Sequence, residues 1–284
     1  MSDLQKKIFE HCDTISDYMW RNIDLLRGDD EFDELEEYLY DWAVVLGVLA
    51  ADVFESVVVL LRAGKIRGAN MLSRALVDYD VRLRYYVVQS IGLRHRHKAG
   101  PTVPLPLLKK QMHAARDWEN ADFKLASILN LYDPNMWPKE IRDALEEKLR
   151  TGETAQNAAF SQMLEFLQQN EANIRGLIPT WREHAEERYD KMLAGWRMQS
   201  AFLHGDQVII SDVLDFKDNV KTGAWFKCSL APVNVILFLA VDHILQVMAS
   251  IGMIRSWAPG QSMLYGQTAR LWESVRTPGA YSVW

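Results

Sequence analysis

Apolar positions along this chain predict a succession of helices. Ser2 with Gln5 forms a capping box ahead of a helix running to about Leu26. The stretch GDDEFDELEEYLYD carries eight acids and no base, and it opens a second long helix ending near Ala63. Acids in a first turn suit the helix dipole, so a solvated helix start explains this run. A tight turn at Gly64 and Lys65 leads into a third helix, IRGANMLSRALVDYDVRLRYYVVQSIGLRHRHK, which the Pro-rich segment AGPTVPLPLL ends. Further helices are expected over Leu107 to Leu129, Pro138 to Arg150, Ala155 to Gln169, Pro179 to His204 and Ala231 to Arg255. Pro138 and Pro179 stand where first-turn prolines belong. After Gly205 the pattern changes. IISDVLDF and GAWFKCSL, separated by KDNVKT, predict a short hairpin or irregular excursion within 206–229.

The fold class is therefore all-α: one domain over 1–284, with no repeats and no long linker. Two apolar runs, AVVLGVLAADVFESVVVLL and LAPVNVILFLAVDHILQVMASIGMI, test that conclusion. The first carries Asp52 and Glu55, the second Asp242 and His243. Such groups are costly at mid-membrane depth, so both runs are expected to be core helices and no membrane partner is expected. The chain has 284 residues, enough to bury a large core, with 49% apolar and 25% charged residues. A net charge of −6 argues against non-specific coating of nucleic acid and leaves room for a local basic site. Cys12 and Cys228 form no disulfide framework, and the N-terminus lacks a signal-peptide pattern, so the expected location is the cytoplasm.

The candidate chemistry centres on RMQSAFLHG. Arg197 and His204 are seven residues apart, close to two helical turns, with Ser200 between them on the same face. A guanidinium can hold phosphate oxygens with its planar fork, and an imidazole moves protons near neutral pH. Together they can handle a phosphodiester without metal. The plain alternative is a helix-terminal His beside a core-bridging Arg, with Gly205 as the stop.

A second group lies on the third helix. Arg67, Met71, Arg74 and Asp78 share a face, and Arg74 and Asp78 form an i, i+4 pair. That pair either anchors the helix or lines the same cleft as Arg197 and His204. Arg94, Arg96 and Lys98, with His95 and His97, make the densest basic patch, a candidate RNA contact or simply a solvated C-terminal cap. No Glu-x-x-His pair of units, HExxH, P-loop, GxGxxG or GxSxG is present, so neither metal nor cofactor is expected. Asp242-His243 inside an apolar helix predicts a hydrogen-bonded core pair, with an accessory catalytic role as the alternative. The ten Trp residues are scattered and read as core.

Two segments resemble the HEPN-like superfamily of all-helical proteins, and within it an uncharacterised bacterial branch. One is RGANMLSRALVDYDVRLRYY, an Arg followed four residues later by an acid. The other is YDKMLAGWRMQSAFLHGD, a Tyr-containing helix ending in Ser-x-x-x-His-Gly. The resemblance spans about 43–214 and implies a HEPN-like helical bundle, with helical additions over 1–42 and 215–284. HEPN nucleases carry an Arg, four to six residues, then a His, and Arg197 and His204 have six between them. The resemblance implies a homodimer in which two such motifs meet and cut RNA without metal. His204 would serve the ribose 2′-hydroxyl and leaving oxygen, and Arg197 the scissile phosphate. Ser200, Arg74, Asp78 and Arg67 would support them. Met198 departs from the polar residue that follows the arginine in many active members.

The expected function is a metal-independent endoribonuclease of toxin or phage-defence type, with RNA or a nucleotide as ligand and a neutralising or activating protein as partner. The alternative is a non-catalytic HEPN-like module that binds a nucleotide, RNA or protein, or a structural dimer whose Arg and His stitch helices together.

Overall fold

A computed structural model describes residues 3–26, 37–98, 111–118, 120–121, 124, 138–151, 158–170, 192–193, 196–197, 200 and 230–256. Among these residues there is no strand, and the chain is all-α. Among the described residues the continuous helices are α1 (Asp3–Leu26), α2 (Glu37–Arg62), α3 (Ile66–Lys98), α4 (Lys139–Thr151), α5 (Phe160–Gln169) and α6 (Leu230–Ser256). Residues 113–118 and the described residues between 192 and 200 are also helical.

The periodicity of the sequence reappears as buried stripes. On α1, Phe9, Cys12, Ile15, Met19 and Ile23 are buried at spacings of three and four. On α2 the stripe is Leu39, Ala43, Leu46, Ala50, Phe54, Val57 and Leu61. Each large apolar side chain hidden in this way stabilises the fold by about 1.5–3 kcal/mol relative to exposure. Burial of Cys12 raises its thiol pKa to about 12, against a smaller opposing pull from Arg62.

Helices α2 and α3 form an antiparallel pair joined by a Schellman turn. Lys65 N–H donates to Leu60 C=O at 2.8 Å and Gly64 N–H to Leu61 C=O at 3.1 Å. Gly64 takes φ +69°, a left-handed conformation that glycine adopts without a Cβ penalty.

The fourth core element is α6, which packs on α1, α2 and α3 and is buried on nearly every side from Ile236 to Ile254. Gly47 allows a close approach: a Cβ there would sit 3.0 Å from Ile251 Cδ1. α2 is long and apolar enough to cross a membrane by length and composition, but here it packs on α1, α3 and α6. Its outward stripe includes Val45, Leu49, Asp52 and Val59.

The C-terminal ends of α1, α2 and α3 and the limits of α4 and α6 agree with the sequence pattern to within a residue or two. The limits of the helix expected over Leu107 to Leu129 lie outside the described residues, and Met112 inside it is not helical. Helix α5 differs: it begins at Phe160 rather than Ala155, because Ala158 and Ala159 are not helical. Gln162 Oε1 accepts the Ala159 N–H at 2.8 Å and closes the helix start there. Pro138 stands one position before the first helical residue, and its carbonyl accepts from Ile141 and Arg142. Ser2, the 206–229 excursion, Cys228, Pro179 and most of the expected 179–204 helix lie outside the described residues.

Candidate functional site

Trp196 fixes the position of the Arg197 segment. Its indole Nε1–H donates to Asp78 Oδ1 at 2.8 Å, tying that helix to α3. One ring face stacks on Phe160, with centroids 4.6 Å apart and planes 7° from parallel. The Arg74 guanidinium lies over the ring at 4.6 Å, a cation–π contact.

Arg197 follows directly and is exposed. Ser200 Oγ donates back to the Trp196 carbonyl at 2.7 Å, so its proton is used within its own helix. Arg74 Nε stands 3.8 Å from Asp78 Oδ2, a looser contact than the one Asp78 makes with Trp196. Burial raises the Asp78 carboxyl pKa above the usual range, opposed by the Trp196 hydrogen bond and then by Arg74 and Arg82. Arg67 and Met71 share this face of α3 and are exposed. The structure thus brings Arg74, Asp78 and the Arg197 helix together. His204 lies outside the described residues, as do the side chains of Arg94, Arg96 and Lys98 in the last two turns of α3.

The same face of α3 continues into a polar cluster not anticipated from the sequence. Asp117 is buried, and three groups converge on it. Tyr86 Oη donates to it at 2.7 Å, Arg116 reaches it through Nε and Nη2 at 3.0 and 2.9 Å, and Arg82 Nη1 stands 3.9 Å away. Burial raises the Tyr86 phenol pKa well above its ordinary range. Beside it, Tyr85 Oη hydrogen-bonds His113 Nδ1, and the two rings stack at 5.2 Å. Burial, followed by the nearby Arg116 charge, lowers the His113 pKa and favours neutral imidazole. Gln89 accepts the His113 N–H at 3.1 Å, and Trp42 Nε1–H donates to Ala114 C=O at 2.9 Å. These bonds fasten residues 113–118 to α2 and α3.

On the opposite, core-facing side of α3 is a buried polar trio. Arg84 Nε and Nη2 approach Asp80 Oδ1 and Oδ2 at 2.6 and 2.7 Å, and His243 Nδ1 meets Oδ2 at 2.7 Å. All three residues are buried. The core pair expected at Asp242-His243 is therefore formed by His243 with Asp80 of α3. A sequence signal for Asp80 and Arg84 existed. They fall in register with Ala69, Ser73, Leu76 and Val87, all buried on one face. Tyr86–Asp117 and Tyr85–His113 carried no such signal, since their partners lie on another helix.

Among the described residues, no group of three or more His, Cys, Asp or Glu side chains could hold a metal ion. No protein-family description, curated protein or solved structure matches this chain.

Proposed function

We propose that this chain is a metal-independent endoribonuclease of toxin or phage-defence type, built on Arg197 and His204 in a HEPN-like, homodimeric bundle. The single observation that carries the reading is the exposure of Arg197 on a segment pinned by Trp196 to Asp78. A structural Arg would be buried against an acid. Here Asp78 is engaged by the neighbouring indole, and the Arg197 guanidinium faces solvent. His204 stands four residues beyond Ser200 in the sequence and completes the pair.

In this mechanism His204 takes the proton of the ribose 2′-hydroxyl as the oxygen attacks phosphorus. The P–O5′ bond breaks, the leaving oxygen receives a proton, and a 2′,3′-cyclic phosphate remains. Arg197 holds the non-bridging oxygens as their charge grows. Ser200, Arg74 and Asp78 keep the segment in place. A protein that activates or neutralises the enzyme belongs to the same proposal. The deciding experiment is cleavage of a mixed RNA pool in EDTA by wild type and His204→Ala, with product ends mapped. Cyclic-phosphate ends that vanish in the variant support the reading. Cleavage that persists unchanged in His204→Ala overturns it.

A non-catalytic RNA-binding module is the second reading, favoured by the arginines gathered along the accessible face of α3. It predicts RNA binding with no cleavage by either protein.

A further inference from the structure

We infer that Arg82 of α3 and Arg116 form a binding site for a phosphomonoester group, held from behind by the buried carboxylate of Asp117. The site does not depend on the ribonuclease reading of Arg197 and His204. Its frame is the carboxylate. Tyr86 Oη donates to Asp117 Oδ2 at 2.7 Å, and Arg116 donates through Nε and Nη2 to Oδ1 at 3.0 and 2.9 Å. Those bonds engage both oxygens of Asp117, whose side chain is only 1% exposed. Arg82 Nη1 stands 3.9 Å from Oδ2, beyond hydrogen-bond reach, and meets Tyr86 Oη at 3.3 Å.

Asp117 is thus served without Arg82. Keeping a second guanidinium largely buried beside it is costly unless an anion answers the charge. Two guanidiniums share this one carboxylate, which leaves an excess of positive charge around it. Asp78 also acts on Arg82, and Arg74 answers Asp78 in turn at 3.8 Å. The side chains of Arg82 and Arg116 keep 27% and 30% exposure, so both reach solvent while the acid stays behind them. Arg82 meets Tyr86 and Asp117 through Nη1, so its Nη2 and Nε are not spent on either. Arg116 likewise leaves Nη1 unspent on Asp117.

The placing of the donors selects the anion. Arg116 approaches Asp117 at Oδ1 and Arg82 lies on the side of Oδ2, so the two forks come from different directions. A planar carboxylate matches one guanidinium fork. A phosphomonoester carries three terminal oxygens in a tetrahedral array and can accept from both forks at once. Its charge of about −1.5 to −2 at neutral pH also exceeds that of a carboxylate. Arginines already fixed by a buried acid lose little freedom on binding, which favours a small ligand. The Arg116 charge acts on the half-buried His113 ring as well, which puts that imidazole beside the site. Free phosphate and a nucleoside 5′-monophosphate both present the required group.

Equilibrium dialysis of the whole chain against radiolabelled orthophosphate, at constant ionic strength, tests the site. Binding should saturate with a Kd of about 1 mM or tighter, a strength open to so small a ligand. Arg82→Gln should weaken it at least about tenfold, the loss of a charged hydrogen bond. Arg82→Lys should weaken it too, because an ammonium supplies charge without the fork. That variant keeps a cation beside Asp117 and carries the test if Arg82→Gln does not fold. The pair Arg116→Gln with Asp117→Asn removes the other fork without stranding a buried acid, and should abolish saturation. Circular dichroism and a cooperative thermal transition confirm that each variant is folded. Sulfate should compete and acetate should not. Adenosine 5′-monophosphate competing far below orthophosphate would make a nucleotide the source, and equal potency would make it free phosphate; either supports the site. In NMR, saturation with orthophosphate should move the His113 ring-proton resonance, identified by its loss in His113→Gln. The inference is overturned by the absence of saturable binding, or by binding that Arg82→Lys and the pair variant leave unchanged. Acetate competing as well as phosphate, or a His113 resonance that stays still at saturation, overturns it equally.

Discussion

His243 Nδ1 lies 2.7 Å from Asp80 Oδ2, joining α6 to α3 across 163 residues of sequence. Arg84 takes the same carboxylate from the other side, so an acid, a base and an imidazole share one dry site. Removing Asp80 or Arg84 leaves a buried charge uncompensated. Asp80→Asn is expected to cost about 3–5 kcal/mol, since breaking a buried ion pair is far worse than never having one, whereas His243→Ala keeps the Asp80–Arg84 pair and should cost less. Urea titration of the variants measures this. Replacing Asp80, Arg84 and His243 together by Leu, Met and Leu should cost much less or even stabilise by about 1–4 kcal/mol. A triple variant as unstable as the single ones would show that the trio's attraction exceeds its desolvation cost.

Trp196→Phe keeps an aromatic ring in contact with Arg74 and Phe160 but deletes the bond to Asp78. Its expected cost is about 1–3 kcal/mol, because a half-buried carboxylate loses its short donor. Under the proposed function, cleavage should fall with kcat more than with KM as the Arg197 segment loosens. Equal loss in an Arg197→Lys background would show that the indole acts independently of the guanidinium.

Asp78→Asn is a complementary probe. The raised carboxyl pKa means that ionised Asp78 is disfavoured in the folded chain. The native state holds its proton to higher pH than the unfolded chain, so ionisation subtracts stability above about pH 4, the unfolded value. The amide oxygen can still accept from Trp196. The variant should therefore match or exceed wild-type stability at pH 7 and lose that advantage at pH 3, read as Tm across the range.

His113 gives the opposite slope. Its folded pKa is depressed, so the unfolded chain binds a proton that the native site resists. Stability from this group is complete above the unfolded value of about 6.5 and falls as pH drops toward the folded value. His113→Gln, whose side-chain amide can still hydrogen-bond Tyr85, should flatten the acid limb of Tm against pH between about 7 and 5. An unchanged limb would assign that slope to other histidines.

The helix contact at Gly47 yields a steric prediction. Ala there needs Ile251 to give way by a few tenths of an ångström, while a helix-interior Gly→Ala change gains roughly 0.8–1.0 kcal/mol of propensity. The two effects should nearly cancel. Gly47→Leu has no such compensation and should cost about 1–3 kcal/mol by forcing α2 from α6. Chemical denaturation of the two variants separates the terms.

Helical spacing made much of this fold legible in advance. The buried stripe of α2, the Gly64 turn and the span of α3 all follow from local pattern, because each is settled by neighbours within a few residues. The Asp80 register was also readable, since a charged residue stood where the core-facing side of a helix called for an apolar one. Its pairing with His243 was not, because helix periodicity says nothing about which distant helix lies opposite. The Asp117 cluster was hidden for the same reason. Trp196 illustrates a different limit. Its spacing placed it beside Arg197, but its bond to Asp78 depends on how two helices 118 residues apart in the chain meet.

The position of α6 in the chain also affects how the protein is made. A ribosome delivers α1, α2 and α3 early, and the local turn at Gly64 lets the last two pair at once. The slot that takes α6 must then wait while the segment from Lys98 to Leu230 is synthesised, roughly seven to thirty seconds at about 5–20 residues per second. During that interval the apolar faces of α2 and α3 and the Asp80–Arg84 pair lack their lid. A nascent chain halted before α6 carries an unfinished core, and its survival depends on whatever shelters that surface until the last long helix emerges.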